Sequence, residues 1–250
     1  MASPTSFVEM LESETFSIGT ILKSMSANMA EALSYTDVSF LFVDRQHGSP
    51  VFTRLENIVR AADLNDLPVA VRVPRDDTSM ITYLLDLGVR GIVLPQVESP
   101  DYVREVGSHV WYDHGRSLGT TTRAARFGDV ERSEYIDYVN DHLALLPMVE
   151  TVPGLENAET LAAMDDVTAL LVGPGDLAHS LGTEFWSDTH LDAIGRVFDA
   201  AATNGIPAGI FVSTEQQIAD VKDHTSFVIY GKDIGIVTDH MDEVVARERS

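Results

Sequence analysis

Short apolar runs alternate along this chain with longer stretches in which apolar and polar residues recur at helical spacing. Eight runs read as strands, at 18–22, 38–43, 69–73, 91–94, 144–149, 168–172, 207–211 and 227–230. Most are nearly continuous in apolar residues and bounded by Gly, Pro, Asp or Asn, the pattern of strands buried on both faces. Helical patterns such as 55–62 and 79–87 lie between them. Eight strand–helix units in 250 residues predict an α/β fold, a (β/α)8 TIM barrel forming one domain over residues 1–250. A doubly wound open sheet expects a Gly-rich turn after its first strand, and Thr20-Ile-Leu-Lys-Ser24 has none. The stretch 95–142 is longer than an ordinary crossover and holds Gly115-Arg-Ser-Leu-Gly119, Arg123 and Arg126. It is expected to be a functional excursion over the barrel mouth.

Composition narrows the partners. At 44% hydrophobic residues the chain can bury a large core, and the lack of cysteine excludes disulfides and thiolate metal sites. No run of 18 apolar residues and no basic segment leading into an apolar one is present, so a soluble cytoplasmic protein is expected. Asp and Glu number 39 against 17 Lys and Arg, a net charge of −22, and the only lysines are Lys23, Lys222 and Lys232. Such a field repels phosphate backbones and anionic lipid, which argues against nucleic acid and membranes as partners. Scattered carboxylates with scarce lysine and retained arginine read as adaptation to high salt.

The candidate chemistry lies at the carboxyl ends of the predicted strands, where barrels of this kind place it. Glu150 ends Leu-Leu-Pro-Met-Val, and Asp176 closes Leu-Leu-Val-Gly-Pro-Gly. A carboxylate at the end of a buried strand is costly unless something positive meets it, so two of them in successive strands suggest a shared cation. Asp44-Arg-Gln-His47 follows strand two, Arg72 lies on strand three, and strand four runs into Pro95-Gln96. Two carboxylates, an arginine and a histidine on one face suit metal-assisted chemistry on an anionic oxygen substrate.

Five strings carry a family resemblance: Phe42-Val-Asp44-x-x-His47-Gly, Val71-Arg72-Val-Pro, Leu84-Leu-Asp86-Leu-Gly-Val-Arg-Gly-Ile-Val-Leu-Pro95, Met148-Val-Glu150-Thr and Val172-Gly-Pro-Gly-Asp176-Leu. In order and spacing, from about Ile18 to Asp239, they resemble the HpcH/HpaI aldolase family. The resemblance implies a class II aldolase that cleaves a 2-keto-3-deoxy sugar acid or 4-hydroxy-2-oxo acid to pyruvate and an aldehyde. It implies a divalent ion, Mg2+, Mn2+ or Co2+, held by Glu150 and Asp176, with Arg72 donating to the keto oxygen as it becomes an enolate. His47 is then the base, with Asp86 orienting it. Gly173, Pro174 and Gly175, with Arg72, Gln46 and Met148, line the substrate. The loop Gly115 to Gly119, with Arg116, looks like the family's loop near the site, and loops 49–54 and 113–127 are expected to read the aldehyde half.

Two departures stand out. Gln46 replaces the Glu that many relatives carry before the histidine, and Met148 replaces a Gln two residues before the metal-binding Glu. Relatives are commonly hexamers with an exchanged C-terminal helix, which implies a homo-oligomer (a hexamer or trimer of dimers), with 241–250 as an exchanged tail. Three alternatives stay open. One is a class I aldolase with Lys23 or Lys232 as Schiff base. The others are a citrate lyase-like or malyl-CoA lyase-like enzyme, and an inactive oxo-acid-binding barrel.

Overall fold

The computed structural model describes residues 6–47, 52–75 and 77–249. Eight parallel strands close into a barrel in chain order: β1 (Ser17–Ile21), β2 (Phe40–Asp44), β3 (Val69–Arg72), β4 (Gly91–Leu94), β5 (Ala144–Val149), β6 (Leu170–Val172), β7 (Ala208–Val212) and β8 (Phe227–Lys232). β8 pairs with β1 to complete the ring. Every predicted strand is present, with ends shifted by at most two residues.

Two apolar layers hold the barrel. The larger lies between the strands and the helices around them. The helix Phe52–Ala62 contributes Leu55, Ile58, Val59 and Ala62, whose spacing puts them on one buried face. The smaller layer fills the barrel itself, and three of its rings, Phe7, Phe40 and Phe227, sit at the N-terminal end. There Phe7, from the short helix Phe7–Glu12, meets Phe40 edge-on at 5.4 Å between ring centroids, and Phe40 meets Phe227 at 5.9 Å. Gly19 and Gly209 leave room for the Phe40 and Phe227 rings, because a Cβ at either position would collide with the ring. One end of the barrel is therefore plugged with aromatic side chains, and polar groups collect at the other.

The segment from β4 to β5 departs from expectation. Within one chain it does not cover the mouth. The helix Pro100–Val110 carries the chain back down the outside of the barrel and delivers residues 111–131 to the N-terminal end. Arg123 Nη2 meets Asp63 Oδ2 at 2.6 Å and its Nη1 donates to the Leu87 carbonyl at 2.8 Å. The Ala124 N–H donates to the Asp86 carbonyl at 3.0 Å, and His114 lies 3.1 Å from Asp166. Asp63, Asp86 and Asp166 all shortly precede strands, which places this excursion, including 113–127 and Gly115 to Gly119, at the foot. Its return helix is Arg132–His142.

The C-terminal tail is part of a longer helix, Asp233–Arg249, of which only Asp233 is buried. Ile234, Val237, Met241 and Val245 form an exposed apolar stripe along it. No described helix is long and apolar enough to cross a membrane.

Candidate active site

The carboxyl ends of the strands open onto a cleft of about 420 Å³. Among its lining residues are His47, Arg72, Met148, Glu150 and the turn Gly173 to Asp176, so most of the predicted site converges on one place.

Asp44, the last residue of β2, organises one side of it. Arg72 Nε and Nη2 donate to Asp44 Oδ1 and Oδ2 at 3.1 and 2.7 Å, a two-point ion pair that fixes the guanidinium plane. The N–H groups of Gln46 and His47 also donate to Asp44 Oδ1, at 3.0 and 3.1 Å, folding the turn that presents His47. Burial acts to raise the Asp44 pKa, but Arg72 and the two N–H groups outweigh it and hold the carboxyl below its ordinary value. Arg72 keeps Nη1 for the cleft, with the Met148 sulfur at 4.0 Å. In the sequence Asp44 stands out only as part of a string. Its position at a strand end is the signal that could have found it.

Glu150 forms the other side. It is 1% exposed, and its Oε1 accepts from the Gln96 N–H at 2.6 Å while Oε2 has no hydrogen-bond partner. Burial pushes its carboxyl up to about 7; Asp176 adds to the rise, and the Gln96 N–H and Arg72 oppose it. Gln96 reaches this position with a φ of 50°, left-handed backbone that a non-glycine residue adopts at a cost. That backbone donor is not legible in the sequence. Gly173 packs directly on Glu150, and a Cβ there would collide with the carboxylate and with Met148 Cε. The helix Pro174–Leu181 begins at this turn, with Asp176 in its first turn and exposed.

These residues fit a divalent ion. A buried carboxylate oxygen without a partner, beside a second carboxylate, is an arrangement that a cation relieves. Among the described residues no group of three or more His, Asp or Glu converges, so Glu150 and Asp176 alone would hold it. Two carboxylate ligands leave positions for water and a chelating substrate, as hard octahedral ions prefer.

Three expected residues lie elsewhere. Asp86 sits in the last turn of the helix Ser79–Leu87, at the foot, where its Oδ1 accepts from Arg116 Nη2 at 2.7 Å. Within one chain it does not meet His47, because its helix runs away from the mouth. Arg116, expected near the site, is buried at the foot over the Tyr112 ring at 4.7 Å. Gln46 is not among the residues that line the cleft, and its Oε1 is buried and without a hydrogen-bond partner. Of the rim loop 49–54, residues 49–51 are outside the described residues, as are Gly48 and Ser250.

The family described as HpcH/HpaI aldolase/citrate lyase matches residues 18–239. The 2-dehydro-3,6-dideoxy-6-sulfogluconate aldolase of Pseudomonas putida is 30% identical over 242 residues, covering 94% of each chain. The hydroxypyruvate/pyruvate aldolase of Paraburkholderia phytofirmans is 33% identical over 207 residues, 78% of this chain and 77% of that one. The crystal structure of an HpcH/HpaI aldolase/citrate lyase family protein from Burkholderia cenocepacia superposes with a TM-score of 0.89 at 26% identity, covering 97% and 98% of the two chains.

Proposed function

The chain belongs to the HpcH/HpaI aldolase/citrate lyase family, and from that premise we propose a class II, divalent-metal-dependent pyruvate aldolase. Its substrate is a 2-keto-3-deoxy sugar acid or 4-hydroxy-2-oxo acid, cleaved reversibly to pyruvate and an aldehyde. The observation that carries the reading is Glu150, buried with one oxygen unpartnered beside Asp176.

When bound, the ion supplies Lewis-acid stabilisation of negative charge on the substrate's keto oxygen. Oxygen-only ligands suit Mg2+ or Mn2+, with Co2+ in the same octahedral class. Arg72, locked by Asp44, offers Nη1 to that keto oxygen, a donor that strengthens as the enolate charge develops. The free N–H groups at the start of the helix Pro174–Leu181 suit the substrate carboxylate. His47, exposed at the rim, takes the proton from the C4 hydroxyl. The C3–C4 bond then breaks, its electron pair forms the enolate of pyruvate, and the aldehyde leaves. Protonation at C3 completes pyruvate. Without Asp86 beside it, His47 performs this step with its backbone held by Asp44 and by Lys23, whose Nζ donates to the His47 carbonyl at 3.0 Å.

The exposed stripe on Asp233–Arg249 supports assembly into a homo-oligomer through that helix. Light scattering on the wild type and on Met241→Lys tests it, since a charge in a buried stripe lowers the mass.

The test of activity is pyruvate release from a panel of 4-hydroxy-2-oxo acids, read with lactate dehydrogenase. EDTA should abolish release and Mn2+ restore it. Borohydride with pyruvate should leave the mass of the protein unchanged. Trapping on Lys23 or Lys232 together with EDTA-resistant turnover would refute the reading in favour of a Schiff base.

A further inference from the structure

Among the described residues the His47 imidazole makes no hydrogen bond, so the base of the proposed cleavage is placed through its main chain alone. Two side chains grip that main chain. Asp44 Oδ1 accepts the His47 N–H at 3.1 Å, and the Lys23 ammonium donates to the His47 carbonyl at 3.0 Å. Asp44 is itself fixed by its two-point pair with Arg72. Lys23 has no such clamp on its side chain, and a flexible four-carbon stem separates its ammonium from its backbone. Its hold on His47 is only as firm as the backbone it starts from.

That backbone is held by Asp233, the first residue of the C-terminal helix Asp233–Arg249 and its only buried one, at 5% exposure. The Lys23 N–H donates to Asp233 Oδ1 at 2.8 Å, closer than to the Ile21 carbonyl at 3.1 Å. Asp233 Oδ1 also accepts from the N–H groups of Ser24 and Ile234 at 3.1 and 2.9 Å, and Oδ2 from the Ser24 hydroxyl. The carboxylate therefore bridges two pieces of backbone from opposite ends of the chain, the exit of β1 and the start of the helix. Bonds from main-chain donors to a carboxylate are among the stronger ones a protein makes. Asp233 is not among the residues that line the cleft.

A continuous path of hydrogen bonds thus runs from the foot of the helix through the Lys23 main chain and ammonium to the main chain of His47. We infer that Asp233 is a positioning residue for His47, acting through Lys23, so that the seat of the C-terminal helix and the placement of the base are set together. Since Asp233 is the one residue of that helix buried against the barrel, it is the point at which a shift of the helix reaches the site. The path passes by neither Glu150 nor Asp176, and metal binding is independent of it. This rests on the pyruvate aldolase reading and adds to it a residue that touches neither substrate nor ion.

The test is a double-mutant cycle on the metal-loaded enzyme, read as kcat and KM for the 4-hydroxy-2-oxo acid that the wild type cleaves fastest. Lys23→Met keeps the Lys23 N–H, and with it the bonds of Asp233, and removes only the ammonium. It should lower kcat about tenfold, as expected for loss of a charge-assisted hydrogen bond, with KM and the Mn2+ affinity read by electron paramagnetic resonance within about twofold of wild type. Lys23→Arg, which still donates to the carbonyl, should keep most of kcat. Asp233→Asn should lower kcat in the wild type and add little to the loss in Lys23→Met. If Asp233→Asn does not fold, Ser24→Ala takes its place in the cycle, since it removes one donor from Asp233; it should cost about threefold in kcat, and that cost should vanish in Lys23→Met. An unchanged kcat in Lys23→Met, a parallel loss of Mn2+ affinity, or losses that multiply in the double variant would overturn the inference. A wild type without metal-dependent pyruvate release removes the aldolase reading first, whereas release that is indifferent to Lys23 and Asp233 removes the positioning role only.

Discussion

Asp86 at the foot of the barrel and Glu150 at its mouth are both carboxylates whose pKa burial pushes up, yet their surroundings differ in sign. Asp86 is answered by the Arg116 guanidinium at 2.7 Å, which pulls its pKa back. Glu150 has Asp176 as its neighbour, which raises it further, and one of its oxygens is left without a partner. The same residue chemistry is thus satisfied internally at one end and left open at the other. Burial alone does not mark a functional carboxylate. What marks it is a second negative charge where a stabilising positive one is expected.

The strongest test of that contrast is removal of Glu150. Glu150→Gln should lower kcat by about a thousandfold or more and abolish binding of Mn2+, read by electron paramagnetic resonance or calorimetry. Its effect on folding should run the other way. A carboxyl whose folded pKa is raised from 4.5 to about 7 binds protons more tightly when folded. Metal-free protein should therefore be most stable below about pH 4.5 with respect to this group, and lose on the order of 3 kcal/mol as pH rises through 7. Glu150→Gln should flatten that slope in a melting series from pH 5 to 8, and Mn2+ should restore stability to the wild type at pH 8. A slope that persists in the variant would assign it to other groups.

Arg72→Lys should cost roughly a hundredfold in kcat, because lysine cannot keep the two-point bond to Asp44 while offering a further donor to the cleft. At the foot the expected losses are in stability. Arg116→Met leaves the partly buried Asp86 without its cation and should destabilise the fold by about 2 kcal/mol, measured by urea unfolding, with catalysis at 25 °C largely kept. Asp86→Asn sharpens the comparison further: it should lower the melting temperature. Turnover lost at an unchanged melting temperature would return Asp86 to a role at the mouth, reached from a neighbouring copy. The smallest expected effect is that of salt. Molar KCl should raise the melting temperature by a few degrees as the net charge of −22 is screened, and indifference to salt would count against adaptation to saline conditions.

Much of the barrel is legible in the sequence because a parallel strand buried on both faces leaves a nearly continuous apolar run, and the strand ends then point to His47, Arg72, Glu150 and Asp176. The segment 95–142 is misplaced by sequence reasoning for a physical reason. Its length signals an excursion, but which end of the barrel it covers depends on where the helix Pro100–Val110 delivers the chain and on the fit of Arg123 to Asp63. Asp86 is misplaced in the same way, since its neighbours in sequence do not reveal that its helix points to the foot.

The order of strands, the chemistry available at their ends and the sign of the molecule's charge can be read from the chain alone, because each depends on local pattern or on simple sums. Which charges meet is set by the closed barrel. Closing β8 onto β1 brings Lys232 beside Lys23 across more than two hundred residues, and the turn at Gln96 aims a main-chain N–H at Glu150. Such pairings are set by barrel closure and by the direction of each helix, which are properties of the whole chain rather than of any stretch of it.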